Sequence, residues 1–486
     1  MEGWRDPLPY TCAADFPRGV GRAILSATPR AAPSAAPHCD PVRDFPAVWL
    51  LPVFSQLAGF ALRTFYRVSA DGGRVPREGP VLLVANHPNS LLDPAMVVAT
   101  AGRPVRFLAK APLFTDPLVG WLIRGSGSIP VHRKVDDPAR MGGNDDTFRA
   151  VRAALAEGFA VGIFPEGTSH SEPSLVPLKT GAARIALGAV PLVGGPFAII
   201  PVGLSFREKE VFRSDAMAVV GRPVPWGDLA QAGEGDVDAV RELTRRIDQA
   251  LHDVTVNLER WEDAPMVETA EEVYAAEFPT QAGAAGRVAR VREVTERLAE
   301  LRSEGDGGAW RELAREVQGH ARILRVLGLR PAELPRAAEG RGGLAAWTAR
   351  RLAFFLLGGP VAALGAAVFY LPYRLTGIVE GMAKPLKDVR ASYKLLFGGL
   401  LHTLWTVGIA VLAGWTLGGW AAVAVLLGLP LVGLVTLRVL ERWTATVAEA
   451  RRFLLRARRR ETLAELRERQ RELARRLRAL HEGVPA

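Results

Sequence analysis

The chain has 486 residues, enough for about three domains, and 49% of them are hydrophobic, which excludes a wholly disordered protein. Its formal charge is +10, and residues 441–486 supply +6 of this with 13 Arg against 7 Glu, so the basicity is local and favours an anionic membrane surface over a nucleic-acid cleft. The only cysteines, Cys12 and Cys39, exclude a disulfide framework and a cysteine-type zinc site.

The N-terminal part contains two segments of different character. Residues 1–44 are rich in Pro, Ala and Arg without helical or alternating spacing, which predicts a disordered leader. Residues 45–68 begin with an 18-residue run free of charge that contains Pro52. This run is marginal for spanning a bilayer, so it predicts a membrane-associated helix lying in one leaflet, with an ordinary buried helix as the alternative.

Residues 69–235 alternate short β-rich runs with helical segments, which predicts an α/β domain in which a mixed sheet is layered by helices. Apolar residues at helix spacing, ended by Gly158, predict a helix at 147–157. The predicted strands are 81–85, 105–109, 128–131, 160–164, 198–205 and 216–220.

The remaining chain is helical in three different ways. Residues 236–350 are charged, and we interpret them as a solvated helical appendage without catalytic residues. Residues 351–440 form a predicted transmembrane helical region: 352–373 is a charge-free run of about 33 Å as a helix, and 395–437 is about twice one span. Because glycines lie near the middle of the second run, it predicts a helical hairpin; they are Gly414, Gly418 and Gly419.

Residues 441–486 predict a basic amphipathic tail helix. An apolar stripe recurs at alternating steps of three and four residues and is interrupted by one glutamine. Two alternatives fit this stripe: a solvated or membrane-grazing helix, and a seam for weak self-association. The stripe consists of Leu463, Leu466, Gln470, Leu473, Leu477 and Leu480.

A histidine and an aspartate follow the first predicted strand, at His87 and Asp93. A carboxylate can fix a histidine in one tautomer and leave its other ring nitrogen free to take a proton from an alcohol. This is the base half of a catalytic triad without its serine, and it suits a reaction in which the substrate hydroxyl is the nucleophile. The alternative is a local cap in a turn.

Two further segments offer groups that bind anions. In 164–169, Gly167 permits close backbone approach, and Thr168 and Ser169 offer hydroxyls and amides, although a simple turn is the alternative. Segment 127–133 ends in Arg133, whose guanidinium can hold a phosphate. Several more cations converge on the same predicted sheet edge and together predict a phosphorylated ligand: Arg106, Lys110, Lys179 and Arg184.

Together the segments 86–93, 127–133, 164–169 and 200–203, in this order, resemble the glycerolipid acyltransferase family of membrane enzymes. The likeness covers about residues 78–225. The first segment, the later stretch 253–257 and the apolar C-terminal region are similar to the branch that contains fungal-type glycerol-3-phosphate and dihydroxyacetone-phosphate acyltransferases. Two details depart from the family pattern: five residues separate His87 from Asp93 where four are usual, and Ser169 stands where Arg is frequent.

The resemblance implies roles for individual residues. His87 would be the general base, with Asp93 as its orienting partner, and Arg133, Glu166 and Gly167 would bind the acceptor's phosphate and glycerol. No acyl-enzyme, metal or redox cofactor is expected. The predicted binding set is completed by Asn86, Thr168, Ser169, Lys179 and Lys110.

The resemblance therefore implies transfer of an acyl group from acyl-CoA or acyl carrier protein to a hydroxyl of glycerol 3-phosphate or 1-acylglycerol 3-phosphate in phospholipid synthesis. The expected partners are membrane lipids, the acyl donor and the phosphorylated acceptor, with no nucleic acid. Two alternatives stay open: an acyltransferase for another lysolipid acceptor, and a catalytically silent lipid-binding membrane protein.

Charge counting predicts the topology of an integral protein of the cell membrane. Residues 374–394 carry five Lys and Arg against two acids, so this loop and the basic tail are predicted to be cytoplasmic, as is the catalytic domain. A crossing by 352–373 would separate the domain from that loop. We therefore predict that 352–373 is re-entrant, broken at 358–360 and at Pro372 into two short pieces. The alternative is three true spans, which would leave the basic tail outside, against the charge rule.

Overall fold

The structure, a computed structural model, describes residues 51–117, 120–131, 143–278, 283–303, 307–335 and 344–481. The predicted leader, 1–44, and Arg133 lie outside the described residues.

The described part of the domain contains a seven-stranded mixed sheet in the order β1-β7-β6-β2-β5-β3-β4. The five strands from β6 to β4 run parallel, whereas β7 pairs antiparallel with β6 and parallel with β1. The strands are β1 (Arg67–Gly72), β2 (Val81–Ala85), β3 (Val105–Lys110), β4 (Ile129–Val131), β5 (Ala160–Ile163), β6 (Ala198–Phe206) and β7 (Asp215–Val220).

The six strands predicted from sequence are confirmed, and β1 was missed. Every side chain of β2 is buried, as is usual for a parallel strand covered on both faces, so its continuous apolar run predicts it directly. In contrast, β1 is an edge strand of largely exposed residues that ends in Gly72. Such a sequence lacks the apolar alternation on which strand prediction depends.

Helices cover both faces of the sheet. One face carries α4 (Gly143–Ala156), α5 (Gly181–Val193) and α6 (Val237–His252). The other carries α1 (Leu51–Phe65) and α2 (Leu92–Ala101), and α3 (Gly120–Gly125) is a short helix before β4. These layers confirm the predicted fold class.

Helix α6 corrects a predicted domain boundary, because it lies within the segment interpreted as a solvated appendage. Its carboxylate cap Asp236 accepts hydrogen bonds of 3.0 Å from the backbone N–H groups of Asp238 and Ala239. Its apolar stripe, which includes Leu243 and Ile247, is buried in the same core as β2. The α/β domain therefore extends to the end of α6.

Helix α1 has two apolar faces. Leu62 and Phe65 are buried in the core beside α2, whereas Val53, Leu57 and Phe60 on the opposite face are each more than half exposed. A helix that is apolar both toward the domain and toward its surroundings fits the predicted position in one leaflet.

The appendage is a helical cluster that includes the tail. It consists of α7 (Ala264–Glu277), α8 (Gly283–Ser303), α9 (Gly307–Leu327) and, after the membrane region, α13 (Arg460–His481). The stripe of α13 packs against α7 and α9, and Gln470 is fully buried between the His320 ring, at 3.2 Å, and Glu277, at 2.6 Å. The predicted solvated or self-associating seam is wrong, since the chain's own appendage covers it.

The membrane region contains three helices: α10 (Leu344–Ala383), α11 (Arg390–Leu417) and α12 (Gly419–Arg458). Each is long and apolar enough to cross a bilayer. The predicted hairpin turn is present at Gly418, whose φ of 99° suits a residue without a side chain. The predicted break in the first run is wrong, because α10 continues through Pro360 and Pro372.

The contacts of α10 trace its path along the hairpin. Arg351 pairs with Glu449 at 2.7 Å, far from the turn at Gly418. Further along, Phe369 stacks on His402 with ring centroids 5.7 Å apart, about 16 residues from the turn. Near its end, α10 returns to the base of the hairpin. Both ends of α10 therefore lie at the end of the hairpin that faces the sheet domain.

Candidate active site

The predicted dyad lies at the carboxyl edge of the parallel strands, where open α/β sheets place ligands. His87 follows β2, the strand flanked by β5 and β6. Its Nδ1 lies 2.8 Å from Oδ2 of the fully buried Asp93, and its ring stacks on Phe164 with centroids 4.1 Å apart. Since Nδ1 is bound to the carboxylate, Nε2 is the nitrogen that can accept a proton.

The five-residue spacing between His87 and Asp93 is accommodated by a tight turn. Ser90 adopts a φ of 50°, and the N–H groups of Leu92 and Asp93 donate to Asn89 O and Ser90 O at 3.1 and 3.2 Å. The turn leads into α2, so Asp93 stands in its first helical turn. The turn accommodates the one residue more than the usual family spacing because Ser90 adopts a left-handed backbone conformation, and the contact between His87 and Asp93 is still made.

A buried network supports the aspartate. Asp93 Oδ2 also accepts a hydrogen bond of 2.6 Å from the N–H of Asn89. The Asn89 side-chain amide donates to Tyr66 OH at 3.0 Å, and that hydroxyl donates to the backbone oxygen of Lys209. Burial raises the pKa of Asp93, while the His87 ring and the Asn89 amide oppose the rise.

Glu166 holds the backbone of the histidine loop. Its side chain is buried, and Oε1 accepts a hydrogen bond of 2.7 Å from the N–H of His87. Its Oε2 accepts from the N–H of Val176 at 3.2 Å and meets Nε2 of His170. His170 Nδ1 accepts from the N–H of Glu172 at 3.1 Å, so Nε2 carries the ring proton. Both oxygens of Glu166 thus have contacts with protein groups, which fix the backbone at His87, and the contact with the acceptor that the resemblance implies stays a prediction.

The remainder of the 164–169 loop faces a groove. Gly167 has a φ of 75°, and a Cβ at this position would collide with the side chain of Lys179, which lies across it. Thr168 is exposed beside them, and Lys110 stands at the end of β3 on the same groove wall. Gly167 and Lys179 are therefore in contact, and they line the same groove as His87, Thr168 and Lys110.

Ser169 is bound by a residue from the membrane region. Its hydroxyl donates a hydrogen bond of 2.6 Å to Oδ2 of Asp388, which lies between α10 and α11. On the same segment, Arg390 pairs with Glu210 at 2.9 Å. The segment between the first two membrane helices is therefore docked on the edge of the site.

Two predicted ligand groups have structural contacts instead. The side-chain amide of Asn86 donates to Leu204 O at 3.0 Å and accepts from Leu204 N at 2.7 Å, which ties the end of β2 to β6 and occupies the amide. Arg106 is buried, donates to Gly127 O at 3.0 Å, and has its pKa lowered by burial. Arg106 therefore points away from the predicted ligand edge, whereas Asn86 also lines the smaller cavity beside His87, and its predicted contact with substrate stays untested.

His87 lies between two cavities. On the β5 side a groove of about 2890 Å³ runs along α1 and the membrane helices and is lined mostly by apolar side chains. On the β6 side a smaller cavity of about 180 Å³ has a mixed lining of apolar, polar and charged residues, to which α7 and α8 contribute Glu268 and Arg287. The site therefore faces a mostly apolar groove on one side and a mixed pocket with charged side chains on the other.

Sequence reasoning missed the residues that reach the site from distant segments. The residues from the appendage belong to no recognisable motif. The stretch 253–257, which the sequence analysis did identify, packs beside the site: Gly203 has no Cβ where the backbone of Val254 passes, and Asn257 Oδ1 accepts a hydrogen bond of 3.0 Å from Leu175 N. The missed residues include His170, Lys209, Arg287 and Asp388. Phe164 belongs to the predicted segment 164–169, but its stacking on His87 was not predicted.

Comparison with known proteins gives a consistent result. Residues 67–205 match the family model described as Acyltransferase. Glycerol-3-phosphate O-acyltransferase 2 of Saccharomyces cerevisiae is 34% identical over 138 residues, 27% of this chain and 18% of that protein. The 1-acyl-sn-glycerol-3-phosphate acyltransferase of Bacillus subtilis is 31% identical over 156 residues, 30% of this chain and 71% of that protein.

A solved structure was also matched. The crystal structure of the 1-acyl-sn-glycerophosphate acyltransferase of Thermotoga maritima aligns with a TM-score of 0.30 and 19% identity, over 41% of this chain and 79% of that one. The chain thus spans about seven tenths of the Bacillus subtilis protein and less than a fifth of the yeast protein.

Proposed function

Because the chain belongs to the glycerolipid acyltransferase family, we propose that it transfers a fatty acyl group from acyl-CoA or acyl carrier protein to a hydroxyl of glycerol 3-phosphate or 1-acylglycerol 3-phosphate. The observation that carries this proposal is the 2.8 Å contact between His87 Nδ1 and Asp93 Oδ2, with Nε2 left for the acceptor.

The dyad geometry supports a direct transfer. His87 Nε2 takes the hydroxyl proton as the acceptor oxygen attacks the thioester carbonyl. Asp93 stabilises the imidazolium that forms. The tetrahedral intermediate then expels the thiolate, which takes the proton from His87 and leaves as a thiol. This sequence requires neither an acyl-enzyme nor a redox cofactor.

The apolar surfaces support action at a membrane. The outer face of α1 and the three membrane helices expose large apolar side chains, and the groove beside His87 runs between them. An acyl chain would enter the groove from the lipid while the thioester reaches the dyad. The excess of Lys and Arg in residues 374–394 and in the tail supports a cytoplasmic position of the catalytic domain, where both donors are found.

An acyl-transfer assay on the purified full-length protein in lipid vesicles tests the proposal. With radiolabelled acyl donor and both acceptors, the wild type is expected to form acylated product, and His87→Ala is expected to lose about 10²-fold to 10⁴-fold in rate. His252→Ala is the matched control, because His252 also faces an aspartate, Asp248 at 3.5 Å, but lies on α6. Retention of more than about a tenth of the rate by His87→Ala would refute the mechanism.

A further inference from the structure

The smaller cavity beside His87, which we name the appendage pocket, is built by two parts of the chain. One wall comes from the end of β6 and the segment after it, with Arg207 and Lys209. The opposite wall comes from α7 and α8, with Glu268 and Arg287. Since β6 is the neighbour of β2, this arrangement brings the appendage to the carboxyl edge of the sheet next to His87.

The two arginines of the appendage pocket are only loosely paired. Arg207 lies 3.7 Å from Glu272, and Arg287 lies 3.5 Å from Glu271, both beyond the length of a good hydrogen bond. Glu271 is held more closely by Arg290, at 2.6 Å. The guanidinium groups of Arg207 and Arg287 therefore keep hydrogen-bonding capacity for another anion.

Lys209 is the cation of this pocket that is nearest to the dyad network. Its ammonium lies 3.4 Å from Ser171 Oγ, and its backbone oxygen is held by Tyr66. Burial lowers the pKa of Lys209, and the charges of Asp93 and Asp388 partly offset this. A buried ammonium beside a cavity is stabilised when an anion enters.

We propose that the appendage pocket binds a phosphate ester of one of the two substrates, an inference that rests on the proposed function. Acyl transfer to a glycerol phosphate brings two phosphate-bearing molecules to His87, since the acceptor carries one and both donors carry phosphopantetheine. Lys110 and Lys179 supply cations on the groove side, and Arg207, Lys209 and Arg287 supply them in the appendage pocket. Four acidic residues line the same pocket: Glu166, which His87 and His170 contact, Asp215, which pairs with Arg67 at 2.8 Å, and Glu172 and Glu268. His87 thus has cationic side chains in each of its two cavities.

Steady-state kinetics of the full-length protein in vesicles test this inference. Arg287→Gln is expected to raise the Michaelis constant of one phosphorylated substrate about tenfold, with kcat changed less than about twofold. Lys179→Gln should raise the Michaelis constant of the other substrate. A rise for the acceptor, or for the donor, identifies which phosphate the appendage pocket holds, and either result supports the inference.

Arg292→Gln is the matched control, because Arg292 lies on the same helix and its guanidinium pairs with Asp253 outside the pocket. Arg287→Lys should retain most of the affinity, and melting temperatures check that each variant is folded. The inference is overturned if Arg287→Gln changes neither Michaelis constant, if it acts no differently from Arg292→Gln, or if it and Lys179→Gln weaken the same substrate.

The sign of the charge effect gives a second test. Glu268 lines the pocket as a carboxylate, so Glu268→Gln should tighten the binding of a phosphate several-fold by removing repulsion. Weaker binding of the acceptor by this variant would indicate an ammonium-bearing head group and overturn the inference.

Calorimetric titration separates this inference from the proposed function. Glycerol 3-phosphate and coenzyme A are titrated into wild-type protein and Arg287→Gln without turnover. If the wild type transfers no acyl group yet binds one of these probes and Arg287→Gln does not, the proposed function fails and the pocket inference stands. Equal binding by both proteins, or binding of neither probe, overturns the inference.

Discussion

The Ser169 hydroxyl donates a hydrogen bond of 2.6 Å to Asp388, across 219 residues of sequence, and so joins the loop after β5 to the segment between α10 and α11. Ser169 stands where the family frequently has arginine. In this chain the position therefore serves as an attachment point for the membrane region at the edge of the active site.

Breaking this contact is expected to lower activity through the position of the 164–169 loop. Ser169→Ala and Asp388→Asn should each reduce kcat several-fold, and the double variant should lose little more than either one. A double-mutant cycle should give a coupling energy of about 1 kcal/mol. Lys387→Gln, a neighbouring exposed change, is the control. Additive effects would show that the two residues act independently.

Glu166→Gln is expected to reduce kcat about tenfold to a hundredfold and to leave the acceptor's Michaelis constant nearly unchanged. The buried carboxylate accepts hydrogen bonds from the His87 N–H, the Val176 N–H and the His170 ring. In the glutamine variant the side-chain NH₂ group would face at least one of these N–H donors, so a buried donor would lose its acceptor. The family-implied contact with the acceptor predicts instead a large rise in that Michaelis constant. Glu157→Gln, an exposed change, serves as the control.

Asp93→Asn is expected to lower the rate of acyl transfer without lowering the stability of the fold. Burial raises the pKa of Asp93 above its usual 3.8, and its Oδ1 is buried without a hydrogen-bond partner among the described residues. Its contribution to stability is therefore present at acid pH and is lost as the pH rises through the raised pKa. At neutral pH the ionised carboxylate destabilises the fold, so Asp93→Asn should melt no lower than wild type while transferring acyl groups at least about tenfold more slowly.

Melting curves between about pH 4.5 and about pH 7.5 check this prediction, with the gap between variant and wild type widening as the pH rises. Asp228→Asn is a control of opposite sign, because the hydrogen bonds from Arg246 lower the pKa of Asp228. That variant should lose stability at neutral pH. A clear drop in the melting temperature of Asp93→Asn at neutral pH would contradict the expectation.

The sequence predicted what is local in the chain. Buried parallel strands are continuous apolar runs, and His87 and Asp93 are six residues apart in one turn, so both are visible without tertiary structure. The partners of Glu166 and Ser169 are set by packing between distant segments. Asp388 carries no pattern of its own, and it reaches the site only because the membrane helices dock there.

Charge and spacing also led to predictions about individual residues whose contacts in the structure are different. Arg106 belongs to a set of cations predicted to face a phosphate, but its side chain turns inward to Gly127. The apolar stripe on the tail helix has the spacing of a coiled-coil interface, but it packs against the helical appendage of the same chain. A spacing pattern identifies an apolar face, and only the fold shows what covers it.

The course of α10 makes a prediction about membrane topology. The helix first contacts the base of the hairpin, where Arg351 pairs with Glu449. It comes closest to the turn at Val368, whose backbone oxygen accepts a hydrogen bond of 2.9 Å from the Trp405 indole. Near its end it contacts the base again, where Glu380 meets Arg390. Trp405 is 13 residues from Gly418, about 20 Å along the helix. Since α10 is helical without interruption, this path requires a bend, and Pro360 and Pro372 lie inside the helix where prolines produce kinks. We therefore expect α10 to bend at these prolines and to enter and leave the membrane on the side of the sheet domain, and α11 and α12 to cross it.

Cysteine labelling tests this topology in a chain from which Cys12 and Cys39 have been removed. Single cysteines replace Ala349 before the apolar part of α10, Lys384 after it, and Thr416 at the hairpin turn; all three are exposed. A membrane-impermeant maleimide added to intact cells should label only the Thr416 site, and permeabilised cells should be labelled at all three. Three true crossings would place the Ala349 and Lys384 sites on opposite faces, because α10 alone would span the membrane between them. Labelling of one of these two sites and not the other in intact cells would therefore contradict the re-entrant path of α10.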